Sequence, residues 1–189
     1  MSDIPKDDFP TSVELVPATD DDIPEVVRLT NLAYRGSDGD SAEGWSTREK
    51  YLTGDRTTEK LLRNDLSVSP HASLLIWRLE GESGIVGSVW LEPQGDGNWY
   101  LGSLAVDPAR QNGGLGKKLL SLAEDWVRER GGRHINITVI NVRETLIGWY
   151  ERRGYYDMGE REPFPYGDDR FGVPQRDDLC FVKLQKKLV

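Results

Sequence analysis

The chain is poor in the residues that build metal centres and covalent frameworks. Of its 189 residues one is a cysteine, Cys180, and two are histidines, His71 and His134. A single cysteine excludes an internal disulfide framework and a cysteine-rich metal site, and two histidines make a histidine-based zinc site untenable. No window approaches about 18 consecutive apolar residues, so no membrane span is predicted. The first ten residues, MSDIPKDDFP, lack the basic patch and apolar core of a secretory leader. Their acidity is also unlike a mitochondrial transit peptide. Together these absences predict a cytoplasmic, metal-free protein.

What is present is an ordinary globular composition, 37% hydrophobic and 30% charged, with a mean hydropathy of −0.56. The length predicts one domain over residues 12–189 behind a flexible tail, 1–11, and a chain of this size buries about 70% of its unfolded surface. The net charge of −8 is unevenly spread: residues 1–60 carry 14 acidic and 7 basic side chains. This acidic part reads either as a solvated face or as a field that attracts cations and repels phosphate. Both readings exclude a nucleic-acid binder. No repeat or low-complexity tract is visible.

Apolar spacing predicts a strand at 13–16, then a helix carrying Ile23, Val26, Val27, Leu29 and Leu32, with Thr19 or Asp20 as its N-cap. A Gly-, Ser- and Asp-rich loop follows over 35–45, and short helical pieces over 47–66. Strands at 73–79, 85–91 and 99–106, separated by glycine-containing turns, predict an antiparallel meander. The period then changes to 3.6: Leu115, Leu119, Leu120, Leu122, Ala123, Trp126 and Val127 form a helical stripe ending near Gly131-Gly132. A buried strand at 135–140, a helix at 143–153 and a last strand at 179–184 complete a mixed α/β sheet with helices on both faces.

The stretch Leu104-Ala105-Val106-Asp107-Pro108-Ala109-Arg110-Gln111-Asn112-Gly113-Gly114-Leu115-Gly116-Lys117 runs from strand through a glycine turn into a helix. Glycines let the backbone approach a ligand, and unpaired N–H groups at a helix start bind anions such as pyrophosphate. A P-loop fails here, because Gln111 and Lys118 occupy its first Gly and its Ser/Thr positions. A dinucleotide fingerprint fails as well: Leu119 stands where its third glycine belongs, and several strands precede the turn.

Gln111-x-x-Gly114-x-Gly116, after a strand ending Leu-Ala-Val-x-Pro, resembles the (Arg/Gln)-x-x-Gly-x-(Gly/Ala) signature of the GCN5-related N-acetyltransferase (GNAT) superfamily. Asn141 and Trp149-Tyr150-Glu151-Arg152-Arg153-Gly154-Tyr155 resemble that family's Asn…Tyr-Glu-(Lys/Arg)-x-Gly-(Phe/Tyr) segment, and 13–19 resembles its first strand. The resemblance covers about residues 12–158. It implies a mostly antiparallel sheet splayed between its fourth and fifth strands, here 99–106 and 135–140, with acetyl-CoA as co-substrate lying in the opening.

Carried over residue by residue, the backbone of Leu104, Ala105 and Val106 would pair with the pantetheine arm. Amides of Asn112, Gly113, Gly114, Leu115, Gly116 and Lys117 would cradle the pyrophosphate. Asn141 would reach the pantetheine amides or cap the next helix. Tyr150 matches the family tyrosine that protonates the departing thiol, or else fills the helix–sheet interface. The expected reaction is acetyl transfer to a primary amine in a ternary complex. The base is the departure: many members carry Glu where this chain has Tyr100, which leaves Glu92, at the end of the preceding strand, or a water chain.

The first helix, the 35–66 segment with Gly44-Trp45, and the aromatic, proline-rich stretch 161–172 are expected to form the acceptor side. Acidic and aromatic groups there predict a cationic amine, a small molecule or a peptide. The edge strands of such a fold can support a homodimer. A second reading from another class is a non-catalytic acyl-CoA sensor on the same fold, towards which the missing Glu points and away from which Tyr150 points.

Overall fold

The computed structural model describes residues 14–36 and 51–188. The expected tail, most of the 35–45 loop and Gly44-Trp45 lie outside the described residues. The elements, in chain order, are β1 (Val16–Pro17), α1 (Ile23–Arg35), β2 (Leu52–Thr53), α2 (Glu59–Val68), β3 (Ser73–Arg78), β4 (Ile85–Gly95) and β5 (Asn98–Val106). There follow α3 (Leu115–Glu129), β6 (His134–Ile140), α4 (Glu144–Glu151), β7 (Tyr156–Pro163), β8 (Val173–Pro174) and β9 (Cys180–Lys187). Seven strands make one sheet in the order β1-β3-β4-β5-β6-β9-β7, and β2 pairs with β8 apart from it. Every pairing is antiparallel except β5 with β6.

The period-2 rule places alternate side chains of β3 on opposite faces. Leu75 and Trp77 join α3 and α4 in the larger core, which includes Leu119, Ala123, Val127, Ile135 and Leu184. Leu74 and Ile76 join α1 and α2 in the smaller one, with Ile23, Val26, Leu29 and Leu62. A third cluster, Tyr51, Phe164 and Leu179 with Phe171 and Phe181, caps the end of the sheet where β2 and β8 meet.

Two expectations are corrected. Of the short helical pieces expected over 47–66, residues 59–66 are helical, in α2, where Thr58 accepts a hydrogen bond from the Leu61 amide as N-cap; 51–57 are instead non-helical chain around β2, and 47–50 lie outside the described residues. The strand β7 was absent from the sequence reading. Its residues, YDMGEREP, show no apolar alternation because it is an edge strand, exposed almost throughout. Thr19 and Asp22 form their capping pair around a 3-10 turn, Asp20–Asp22, just before α1; the Asp22 carboxylate accepts from the Thr19 amide at 2.8 Å. Among the described residues no helix is long and apolar enough to cross a membrane.

One polar group is built into the larger core. Glu124 on α3 is 5% exposed, accepts from the Tyr155 hydroxyl at 3.2 Å and from Lys186 at 2.7 Å, and has Arg128 at 3.8 Å. Removing the carboxylate strands Lys186 and the Tyr155 hydroxyl. Glu124→Ala is therefore expected to lower unfolding free energy by about 3 kcal/mol, read from urea denaturation at neutral pH. A loss below 1 kcal/mol would mean water replaces the carboxylate.

Candidate active site

The site begins where two strands part. β5 and β6 pair at only three positions, Asn98↔His134, Trp99↔Ile135 and Tyr100↔Asn136. Beyond them β6 continues its ladder with β9 as far as Ile140, while β5 continues with β4. The cause is a bulge. Between the pairs Trp90↔Gly102 and Ser88↔Ala105, β5 has one residue more than β4, and Ser103 takes a φ of 49°. The extra residue turns β5 away, so its edge facing β6 has no ladder partner from Leu101 to Val106. An unpaired parallel edge inside a sheet is a template for an extended ligand.

A cavity of about 380 Å³ occupies the parting, lined by Tyr100, Gly102, Ser103 and Leu104 of β5, Thr138 to Ile140 of β6, and Leu146 and Tyr150 of α4. A smaller void of about 40 Å³ joins Leu104, Val106, Tyr150 and Gly116 at the start of α3. There the chain makes a 3-10 turn, Pro108–Gly113, capped by Asp107, before Gly114 adopts a left-handed φ of 75° as N-cap of α3. The amides of the first turn have no intrahelical acceptor. Leu115 is buried and anchors the helix, whereas Gly113, Gly114 and Lys117 are exposed. The side chains of Gln111 and Asn112 are not among those described.

Tyr150 is 6% exposed, with its ring edge-on to Trp149 at 5.0 Å and to Tyr155 at 5.4 Å. It lines both the parting cavity and the void beside α3. Burial holds its hydroxyl well above the usual tyrosine range, reinforced by Tyr34 and opposed by Arg143. A phenol kept protonated in a dry wall is a proton donor in waiting.

Tyr100 stands at the fork, its hydroxyl 3.3 Å from the Thr138 hydroxyl across the opening. Burial raises it, and the Thr138 bond works the other way. Its cross-strand partner is Glu92, which accepts from the Trp90 indole at 3.2 Å. Glu92 faces a second cavity of about 460 Å³, bounded by α1, α2, β4 and the 165–171 stretch. The two larger cavities share Arg56, Tyr100, Gly102, Ser103 and Phe171.

Asn141 does not cap the next helix. Its Nδ2 donates to the Asp178 carbonyl at 3.0 Å and its Oδ1 accepts from the Cys180 amide at 3.0 Å. The side chain therefore fastens the entry of β9, and Arg143 is the N-cap residue of α4.

Sequence reasoning missed Asn31, Arg35 and Arg56, because each sits in a polar context that reads as solvated surface. Asn31 accepts from the amides of Arg56 and Thr57 and donates to the Thr57 carbonyl, pinning that loop to α1. Arg35 donates to the carbonyls of Gly54 and Phe171, tying together the chain around β2 and β8. Burial, with Arg56 next in order, lowers the Arg35 guanidinium below its ordinary value. Gly172 completes this corner with a φ of 100°; a Cβ there would lie 2.6 Å from the Thr53 carbonyl and 2.8 Å from Arg35. Gly172→Ala is expected to cost about 2 kcal/mol, read as a lower thermal midpoint. An unchanged midpoint would mean that the corner yields freely.

A model of the acetyltransferase (GNAT) family matches residues 34–155. The chain belongs to the GNAT acetyltransferase family. No curated protein matches it in sequence. Among solved structures it is similar to the ribosomal-protein-S18-alanine N-acetyltransferase of Escherichia coli, at 15% identity and a TM-score of 0.64, over 94% of each chain. It is similar to Ard1 of Thermoplasma volcanium, at 16% identity and a TM-score of 0.64, over 94% of this chain and 98% of that one. An N-acetyltransferase of Staphylococcus aureus Mu50 gives 11% identity and a TM-score of 0.65, over 95% and 100%. At these identities the likeness is one of fold. The GNAT sheet is thus the seven-stranded one described here, parting between its fourth and fifth strands in spatial order, β5 and β6.

Proposed function

We propose that this GNAT protein is an N-acetyltransferase that moves the acetyl group of acetyl-CoA to a primary amine by direct attack in a ternary complex. The observation that carries the reading is the β5 edge left unpaired by β6 from Leu101 to the glycine turn, with Tyr150 in its wall. The edge from Leu104 through Ala105 to Val106 suits the pantetheine amides. The amides from Asn112 to Lys117, with Gly113, Gly114 and Gly116 keeping side chains out of the way, suit the pyrophosphate. Gln111 belongs to the same turn by sequence. Asn141 stays a candidate for the pantetheine amides, since its bonds to Asp178 and Cys180 use one of the two donors and one of the two acceptor positions of its amide.

In the reaction the neutral amine nitrogen adds to the thioester carbonyl, the carbon–sulfur bond breaks, and the sulfur takes a proton. A backbone N–H near Leu104 or Val106 would hold the developing oxyanion. Tyr150 gives the proton to sulfur. The proton shed by the amine passes through water toward Glu92, the carboxylate paired across the strands with Tyr100. The cationic-acceptor expectation draws on acidic and aromatic groups of the 35–66 segment and of 161–172, and of these Asp38, Asp40, Glu43 and Trp45 lie outside the described residues.

The test is release of CoA thiol from acetyl-CoA across amines, amino acids and peptides, with acetyl-CoA binding followed separately. Turnover with one acceptor class supports the reading. A non-catalytic acyl-CoA sensor, favoured by Tyr100 standing in place of Glu, would bind acetyl-CoA and release no thiol with any acceptor.

A further inference from the structure

The acceptor side holds a cation that lacks an anionic partner among the described residues. Arg56 lines both large cavities where they join. Its backbone is fixed by Asn31, and its guanidinium lies over the rings of Tyr34, at 5.3 Å, and Phe171, at 5.1 Å. Two rings within cation–π range hold the guanidinium in this corner while leaving its N–H groups to other acceptors.

The neighbouring charges are engaged or differently placed. Arg35 donates to two backbone carbonyls, Lys183 pairs with Glu160 at 3.0 Å, and Arg170 pairs with Asp65. Asp168 accepts from the Arg170 amide, and Glu92 from the Trp90 indole. Arg143 and Glu162 complete the charged lining of the first cavity. Its described wall therefore carries four basic side chains, Arg35, Arg56, Arg143 and Lys183, against one acidic, Glu162. Burial first, and then the positive charge of Arg56, lowers the Arg35 guanidinium below its ordinary value. The second cavity also holds the Ser88 hydroxyl, in a residue 1% exposed, with no hydrogen-bond partner among the described residues.

We propose that Arg56 reads a carboxylate on the acceptor, so that the substrate is an amine that also bears a carboxylate. The inference rests on the transfer reading above and names its substrate class. The carboxylate forks onto Arg56 while the amine turns to the bulge at Gly102 and Ser103, which both cavities share with Arg56. A bidentate arginine–carboxylate pair in a partly desolvated wall favours the acid over its neutral analogue by about tenfold to a hundredfold.

The experiment compares each common amino acid with its amide and with its decarboxylated amine, in two readouts on the full chain. One is CoA thiol release. The other is calorimetric binding of the N-acetyl acids and N-acetyl amides to protein saturated with CoA, which needs no turnover. Acids preferred by about tenfold or more, with Arg56→Gln erasing the difference and Arg56→Lys restoring part of it, support the inference. Amides or decarboxylated amines bound and acetylated as well as acids overturn it, as does an Arg56→Gln variant that keeps the acid preference. Arg56-dependent binding of acids without thiol release would uphold the carboxylate site and defeat the transfer reading. Should Arg56→Gln fail to fold, the wild-type acid-to-amide ratio and Arg56→Lys decide alone.

Discussion

Tyr150→Phe is expected to lower kcat by about a hundredfold to a thousandfold while leaving acetyl-CoA affinity within about twofold. The substitution keeps the ring that packs edge-on between Trp149 and Tyr155, so α4 has no reason to shift. Only the proton donor is lost. Steady-state thiol release and direct acetyl-CoA binding, measured on the same preparation, separate the two effects. The pH dependence gives a second check with a definite sign. Burial raises the Tyr150 hydroxyl above the ordinary tyrosine value of about 10, so the protonated, competent form persists through that pH. The wild-type kcat should accordingly show no basic limb from this group below about pH 10. A variant with unchanged kcat, or one that loses acetyl-CoA binding in parallel, would return Tyr150 to a role in packing.

The second large effect belongs to Gly114. Its left-handed φ of 75° excludes most side chains, but Asn and Asp tolerate that region, and a Cβ at this position meets nothing within 4 Å. Gly114→Asp should therefore fold within about 1 kcal/mol of wild type, helped by a carboxylate beside the start of α3. The same carboxylate stands among the amides proposed to hold pyrophosphate. Like charges a few ångströms apart near a protein surface repel by several kcal/mol, so acetyl-CoA affinity should fall by about a hundredfold. Gly114→Asn carries the same shape without the charge and should lose far less. The gap between the two variants should narrow with added salt. Equal affinity in both variants would place the pyrophosphate elsewhere.

Much of the fold could be read from the residues because it follows local periodicity. The 3.6-spaced stripe from Leu115 to Val127 became α3, and the alternating runs became β3, β4 and β5, with β4 and β9 extended by polar ends that apolar patterns do not mark. β7 escaped because an exposed edge strand needs no apolar face. The glycine turn was legible through Gly114, whose backbone only a few residue types tolerate. Asn141 was legible by its spacing, but its bonds to the Asp178 carbonyl and the Cys180 amide, which fasten the entry of β9, carry no local signal.

By itself the sequence determined the α/β order of elements, the glycine turn between β5 and α3, and Tyr150 on the helix after β6. Each is local, set by side-chain period and backbone tolerance over a dozen residues or fewer. The tertiary structure alone decided where β5 and β6 part, after Tyr100↔Asn136, and that Glu92 faces a different cavity from Tyr150. It also decided that Arg56, anchored by Asn31 and lying over the rings of Tyr34 and Phe171, stands where those cavities meet. These are meetings of residues 22 to 115 positions apart, and no local pattern records where chain returning from such distances will close.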